Sequence, residues 1–508
     1  MQNIYQFIQE NSQHHPDKLA LSIKSLQHSN KVDVTYKKFQ DDVDDYAQYL
    51  SATVSESQRV LLVLPVCYEL YVCLFALFKL GACVVLLNPN MNRLSLKHSL
   101  KLVNADVMIA NKQIWKFRWM FWDILRIKTK LSLDSNGWGI VSLFNKKQAA
   151  TLVLPKEQAA ALISFTSGSS GQPKAVVRTY ENLIAQHLAL KKLPKLDQHY
   201  DMTAFPVVVL HHLCNGISCA IADINYKDIS AIKNQAVIKQ ILNEKINSLS
   251  GAITYLLALG EYLQQNNIPT QHIKVIATGG SPIQNWQCDL IKQYFPKARL
   301  FILYGSSEVE PIAHIEVSKK LDQSFGFVVG SKSDDVKLAF EALSSKIKPF
   351  AYISNFSNTA GEIYVSGSHV CNQYYKNKKA NQSNKYIDKN NITWHRTGDV
   401  GFMNEQGRLV LTGRIENCLN VNNTLIGSYP VELFINALLN IKLSAVVENK
   451  LNEVVLYISQ PVKISDNDIV EQVYKQFKIK ITKIEIIESI PVDTRHQGKI
   501  QYGQLKQK

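Results

Sequence analysis

The segment 59–88 constrains the fold more than any other part of the chain. It opens with RVLLVLP, a short unbroken apolar run of the kind a strand needs when both faces of its sheet are covered. An apolar stretch of helical length follows over 68–80 and stops at Gly81, a residue suited to the left-handed turn that closes many helices. ACVVLLN then forms a second apolar run, ended by Asn88 and Pro89. Strand, helix and strand in that order predict a compact βαβ unit with parallel strands. Similar runs ending in turn chemistry recur at ALISFT (161–166), KVIATGG (274–280) and RLFILYG (299–305). The expected fold is therefore α/β, a large N-terminal domain of parallel sheets covered by helices.

A chain of 508 residues exceeds what one hydrophobic core usually serves, so more than one domain is expected. The last hundred residues change texture. EVVLYIS reads as a strand, and Ser465 with Asp468 three residues later forms a helix-starting pair. Ile469, Val473 and Phe477 then share one helical face. Ile479, Ile481, Ile484 and Ile486 suit a strand with one solvated face. A smaller α+β domain is expected after Gly413–Arg414, dividing the chain into 1–413 and 414–508.

Charge and cysteine usage narrow the partners and the compartment. Lys+Arg number 57 against 42 Asp+Glu, a net charge of +15. That excess favours anionic partners such as nucleotides, an acidic membrane surface or nucleic acid. Of these, no nucleic-acid partner is expected. The eight cysteines contain no C-x-x-C pair and mostly sit in apolar runs, as buried thiols of a reducing compartment do. The N-terminal residues lack a charged-then-apolar leader pattern. The apolar stretch 60–87 is broken by Glu69 and Lys79, short of a bilayer-spanning run. A cytoplasmic location is the expectation. One segment stands apart: KQIWKFRWMFWDILRIKTK (112–130) carries three of the six tryptophans and six basic residues against one Asp. It suits a peripheral contact with an anionic membrane, or a helical hairpin whose aromatics pack on the large domain.

The strongest chemical signal is Thr166-Ser167-Gly168-Ser169-Ser170-Gly171-Gln172-Pro173-Lys174, directly after an expected strand. Glycines free backbone N–H groups to point at phosphate oxygens, hydroxyls add donors, and Lys174 adds charge. The spacing is not that of a Walker loop.

This run resembles the phosphate loop of the adenylate-forming superfamily, which comprises acyl-CoA synthetases, luciferases and peptide-synthetase adenylation domains; only its final Gly differs, as Ala175. Further motifs match in order: Tyr304-Gly305-Ser306-Ser307-Glu308, Thr397-Gly398-Asp399, Gly413-Arg414 and Gly498-Lys499-Ile500. The resemblance covers nearly the whole chain and implies ATP- and Mg²⁺-dependent conversion of a carboxylic acid, of medium or long chain, to an acyl-adenylate. It implies that Thr166, Ser167, Gly168, Ser169, Ser170, Gly171 and Lys174 hold the phosphates, with Gly305 and Ser307 also at the nucleotide. Tyr304 would stack on adenine, bordered by Gly280 and Ser281. Asp399 would accept from the ribose hydroxyls, and Arg414 would contact ribose or phosphate. Glu308 would hold Mg²⁺. Lys499, on a mobile C-terminal domain, would swing in to stabilise the charge of the attack on the α-phosphate.

The departures concern the second half-reaction. The family's hinge Asp is Asn417 here, and a Gly close to its pantetheine tunnel is Asn423. The position that gates the acyl pocket falls on Val209, with His211 and His212 just beyond. CoA or a carrier-protein thiol would be the acceptor in an acyl-CoA synthetase of this family. A closer similarity, carried by Trp394–Gly401, Pro491–His496, Phe205-Pro206 and Pro430-Val431-Glu432, is to the branch containing the β-lactone synthetases of olefin biosynthesis. In that branch a substrate β-hydroxyl displaces AMP without CoA. A degenerate nucleotide-binding protein is the alternative from another class. The oligomeric state is open.

Overall fold

The structure, a computed structural model, describes all residues except 1, 28–30, 89–90, 121, 135–138, 157, 167–171, 194–195, 197–198, 225–234, 244, 344–359, 423, 494–498 and 507–508. Two compact units emerge. The first comprises Met1–Ala222, Ser307–Glu310 and Gly367–His395, and the second Asp223–Ser306, Pro311–Ser366 and Arg396–Lys508. The expected boundary at Gly413–Arg414 lies inside the second unit.

The βαβ reading of 59–88 holds. Arg59–Val63 and Cys83–Leu86 are parallel neighbours, joined by the helix Tyr68–Lys79. Gly81 follows that helix with φ +72, and an added Cβ would lie 2.7 Å from Val153 Cγ1. The helix is apolar on nearly every side because it is buried on nearly every side. Its two charges are matched. Glu69, 2% exposed, accepts from Ser25 Oγ at 2.6 Å and from the backbone N–H of Leu26 at 2.9 Å. Lys79 pairs with Asp44 at 2.8 Å. Among the described residues no helix is long and apolar enough to cross a membrane.

Among the described residues the first unit holds an eight-stranded sheet. Its order is Gln373–Tyr374, Lys174–Thr179, Ala160–Thr166, Cys83–Leu86, Arg59–Val63, Val107–Ala110, Thr129–Ser132, Val141–Ser142. The strands run parallel from Ala160–Thr166 onward, and the first two are antiparallel additions at one edge. A second set pairs Tyr200–Thr203, Ser218–Ile221, Leu19–Lys24 and Lys31–Thr35.

The second unit begins with three parallel strands, Ser248–Gly251, Val275–Gly279 and Arg299–Ser306. It continues with antiparallel pairing of Phe327–Lys332, Leu409–Arg414 and Thr393–Met403. The last hundred residues build the expected α+β texture, with strands Ser444–Glu448, Val454–Ile458 and Ile481–Ile486 over the helices Ser428–Leu439 and Asp466–Phe477. Ser465 caps the latter by accepting from the Asp468 N–H at 3.2 Å. Ile469 and Val473 face a core shared with Val431, Ile435, Val446 and Leu456. All eight cysteines are free thiols, and only Cys418 is not fully buried.

Residues 112–130 depart from the hairpin alternative. Their described residues form three short helical turns, Lys112–Lys116, Arg118–Met120 and Trp122–Leu125, followed by the strand Thr129–Ser132. Trp115 accounts for the break: buried, it donates from Nε1 to the carbonyl of Ala110 at 3.1 Å, which fixes the first turn to the preceding strand.

Candidate active site

In the first unit the phosphate-loop motif closes a hairpin. Thr166 ends one strand and Lys174 begins the next, and the two are cross-strand partners. The loop's ends are thereby held together. Its centre, Ser167, Gly168, Ser169, Ser170 and Gly171, lies outside the described residues. Lys174 places its ammonium 5.4 Å from the ring centroid of Tyr374.

Tyr374 is the centre of a group that the motifs did not announce. Its hydroxyl donates to Glu308 Oε1 at 2.9 Å. Lys385 also places its ammonium 5.4 Å from the centroid of the same ring and donates to the carbonyl of Cys371, while the Cys371 N–H donates to the carbonyl of Glu308 at 2.8 Å. Burial lowers Lys385 to about 8. Burial, aided by Lys385, lowers His395 to about 3, so this ring is neutral near pH 7. Burial also works against an ionised Glu308, but its carboxyl still sits below the usual range. With His395 neutral, the Tyr374 hydroxyl and the Lys385 ammonium keep Glu308 charged. Ser307 is exposed, and its carbonyl accepts from Arg178, which also donates to Ser164 Oγ at 2.9 Å.

A hard cation fits this group in one way. Among the described residues no cluster of three or more His, Cys, Asp or Glu could hold a metal. Glu308 offers one ionised oxygen ligand, the number Mg²⁺ commonly takes from protein when phosphates and water fill the remaining positions.

In the second unit, three of the matched motifs meet. Asp399 and Arg414 are register partners on adjacent antiparallel strands. Arg414 Nη1 donates to Asp399 Oδ1 at 2.8 Å, and the Tyr304 hydroxyl donates to Asp399 Oδ2 at 2.6 Å. Thr397 turns the strand, its Oγ1 accepting from the Asp399 N–H at 3.0 Å. Gly398 takes φ +74, with space for a Cβ limited by Arg414 Nη2 at 3.4 Å. The charge of Asp399 holds Arg414 firmly protonated, and burial followed by Asp399 pushes the Tyr304 hydroxyl well up. Each carboxylate oxygen has two acceptor positions, so both protein bonds leave capacity for further donors.

Gly280 has φ +84 and follows the strand Val275–Gly279, next to the strand bearing Tyr304 and Gly305. A Cβ on Gly279 would lie 2.5 Å from the carbonyl of Leu303, so only glycine lets these strands approach there. Among the described residues, Ser281 Oγ, Thr278 Oγ1 and Arg414 Nε are buried with no hydrogen-bond partner. Each such atom costs about 1–3 kcal/mol if left unsatisfied. All three lie on or beside residues that the motif resemblance assigns to a nucleotide, and Thr278 was not legible from the motifs. A polar ligand such as a nucleotide fits them.

Lys499 directly precedes Ile500, which bridges to Val492, and its carbonyl accepts from the Asp493 N–H at 2.8 Å. It is an exposed residue whose ammonium nevertheless feels desolvation, which lowers its pKa, with Arg414 acting in the same sense and Asp399 opposing. Lys499 is thus within electrostatic reach of the Asp399–Arg414 pair. Asn417 is buried in the short turn Ile415–Asn417. Asn423 and Gly498 lie outside the described residues. Val209 is fully buried in the helix Pro206–Cys214, where His212 Nε2 lies 3.0 Å from Asp201 Oδ2 and His211 Nδ1 lies 3.2 Å from His187 Nδ1.

Comparison with known proteins agrees with this geometry. The family described as AMP-binding enzyme matches residues 8–375, and the chain belongs to it. It is thus a member of the adenylate-forming ligases. An olefin beta-lactone synthetase from Stenotrophomonas maltophilia is 25% identical over 445 residues, 81% of this chain and 79% of that one. A 4-coumarate–CoA ligase from Oryza sativa subsp. japonica is 21% identical over 505 residues, 90% of this chain and 84% of that one. Among solved structures, the amide bond synthetase McbA from Marinactinospora thermotolerans superposes with a TM-score of 0.81 at 16% identity, covering 99% of both chains. The three names describe three different products.

Proposed function

We propose that the protein uses ATP and Mg²⁺ to activate a medium- or long-chain carboxylic acid as its acyl-adenylate and passes the acyl group to an acceptor. The observation that carries this reading is the single network of Tyr304, Asp399 and Arg414 with Lys499 in its field. In this reading Asp399 accepts from the ribose hydroxyls while Tyr304 packs on adenine beside Gly280 and Ser281. Thr166, Lys174 and the loop between them hold the phosphates. Glu308 would hold Mg²⁺, which would supply positive charge beside the phosphates. Arg414 and Lys499 stabilise charge at the α-phosphate as the carboxylate attacks. Residues 414–508 form a mobile domain that turns about Asn417 to deliver or withdraw Lys499. A degenerate, non-catalytic protein would have no reason to retain Glu308, Asp399, Arg414 and Lys499 together.

CoA, a carrier-protein thiol and the substrate's own hydroxyl are the candidate acceptors. The reading without CoA, a β-lactone synthetase acting on a β-hydroxy acid, is favoured by Asn417 and Asn423 at the hinge and tunnel positions. An Asn side chain fills space where a glycine lets the pantetheine arm approach. The test supplies ATP with a long-chain acid, with and without a β-hydroxyl and with and without CoA. AMP release that requires the β-hydroxyl and ignores CoA supports the second reading. Rapid acyl-CoA formation from the plain acid overturns it.

A further inference from the structure

Exposed large apolar side chains are scattered over most of the described surface, but four of them fall within six residues. Phe117 is 62% exposed, Trp119 60%, Met120 52% and Trp122 67%. The nucleotide site makes no use of them. They do not belong to a frayed loop, because the same segment is anchored from beneath. Trp115, Ile124 and Ile127 are buried in one core cluster with Leu61, Val85 and Leu100. The segment is thus a fixed platform with one apolar side in the core and another facing out.

The surroundings define what covers the outer side. Lys112, Lys116, Arg126 and Lys128 are all exposed around it, and Asp123 is the only acidic residue in 112–130. Arg126 places its guanidinium 6.0 Å from the Trp122 ring. Tryptophan in a basic setting matches the interface of an anionic bilayer, where the indole sits at headgroup depth and each cation meets a phosphate. A second copy of this chain is a poor fit, since a self-complementary interface would set this basic surface against itself. The net charge of +15 acts in the same direction. We propose that the surface formed by Phe117, Trp119, Met120 and Trp122 docks the protein on an anionic lipid surface.

The experiment is co-sedimentation of the full chain with vesicles of phosphatidylcholine alone or with phosphatidylglycerol. Binding is expected only with phosphatidylglycerol, with release by salt. Trp119→Ala combined with Trp122→Ala should lower partitioning at least about tenfold. Lys116→Glu and Arg126→Glu should each lower it on the order of fivefold. Unchanged circular dichroism and unchanged vesicle-free ATP–pyrophosphate exchange would show that the variants remain folded. The proposal is overturned by absence of binding, by equal binding to neutral vesicles, or by variants that bind like the parent. Light scattering that reveals a dimer dissociated by Trp119→Ala would also overturn it, by assigning the surface to self-association.

Discussion

Asp399→Asn tests the network at its centre. The carboxylate accepts from Tyr304 at 2.6 Å and from Arg414 at 2.8 Å. Asparagine keeps nearly the same shape but offers one carbonyl oxygen and one amide donor. Either Tyr304 or Arg414 must then face a donor. Exchanging a charge-assisted bond for a neutral one costs about 1–1.5 kcal/mol, and a donor left unpaired adds about 1–3 kcal/mol. The Arg414 side chain is 29% exposed, so water repairs part of the loss. A net cost of about 2 kcal/mol remains, to which the ribose contacts of the proposed function would add their own loss. That is roughly thirtyfold in kcat/KM for ATP, carried mainly by KM because the contact serves ground state and transition state alike. Tyr304→Phe removes one bond and leaves the ion pair, so it should cost only about threefold to tenfold. The assay is ATP–pyrophosphate exchange over a range of ATP concentrations. An Asp399→Asn variant with the parent's KM for ATP would refute the assignment, as would a Tyr304→Phe variant more damaged than Asp399→Asn.

Glu308→Gln should raise the Mg²⁺ concentration needed for half-maximal exchange by at least about tenfold, since a neutral amide is a poorer ligand for a hard cation; a titration with Mg²⁺ at fixed ATP checks it. Glu432 gives a pH-dependent outcome. It is buried in the second unit, accepts from Tyr502 at 2.9 Å and from the Val446 N–H at 3.0 Å, and burial pushes its carboxyl up to about 8. The unfolded chain releases this proton near the ordinary carboxylate value while the folded chain retains it. Its contribution to stability is therefore fully present below about 4.5 and is lost as pH rises towards about 8. Glu432→Gln should melt progressively higher relative to the parent between those values, and a difference in melting temperature that does not change with pH would contradict it.

The fold was readable where apolar runs were long and their ends marked. The run 59–88 gave its βαβ unit because continuous apolar strands and an all-round apolar helix suit only a doubly covered sheet. Ser465 and Asp468 gave a helix start because capping is local. The motif residues were readable one by one, but their meeting was less so. Asp399 and Arg414 pair by strand register, a long-range property that neither motif states. Tyr374 donates to a carboxylate 66 residues away, and Lys385 reaches the same ring, with no periodicity or spacing to announce either. The sequence of 112–130 suits a membrane contact or a helical hairpin, because composition records how many aromatics it has, not which of them point inward. Trp115 turned in while Trp119 and Trp122 turned out, and that division broke the helix into turns.

The central claim is that this chain makes an acyl-adenylate with Lys499 supporting the attack on the α-phosphate. ATP–pyrophosphate exchange with a panel of carboxylic acids, run on the parent chain and on Lys499→Ala, measures that claim directly. The account predicts acid-dependent exchange in the parent and a loss of roughly 10²–10³ in the variant, the cost of one preorganised charge donor. Exchange that requires no acid, or that proceeds equally well without the Lys499 ammonium, would contradict it.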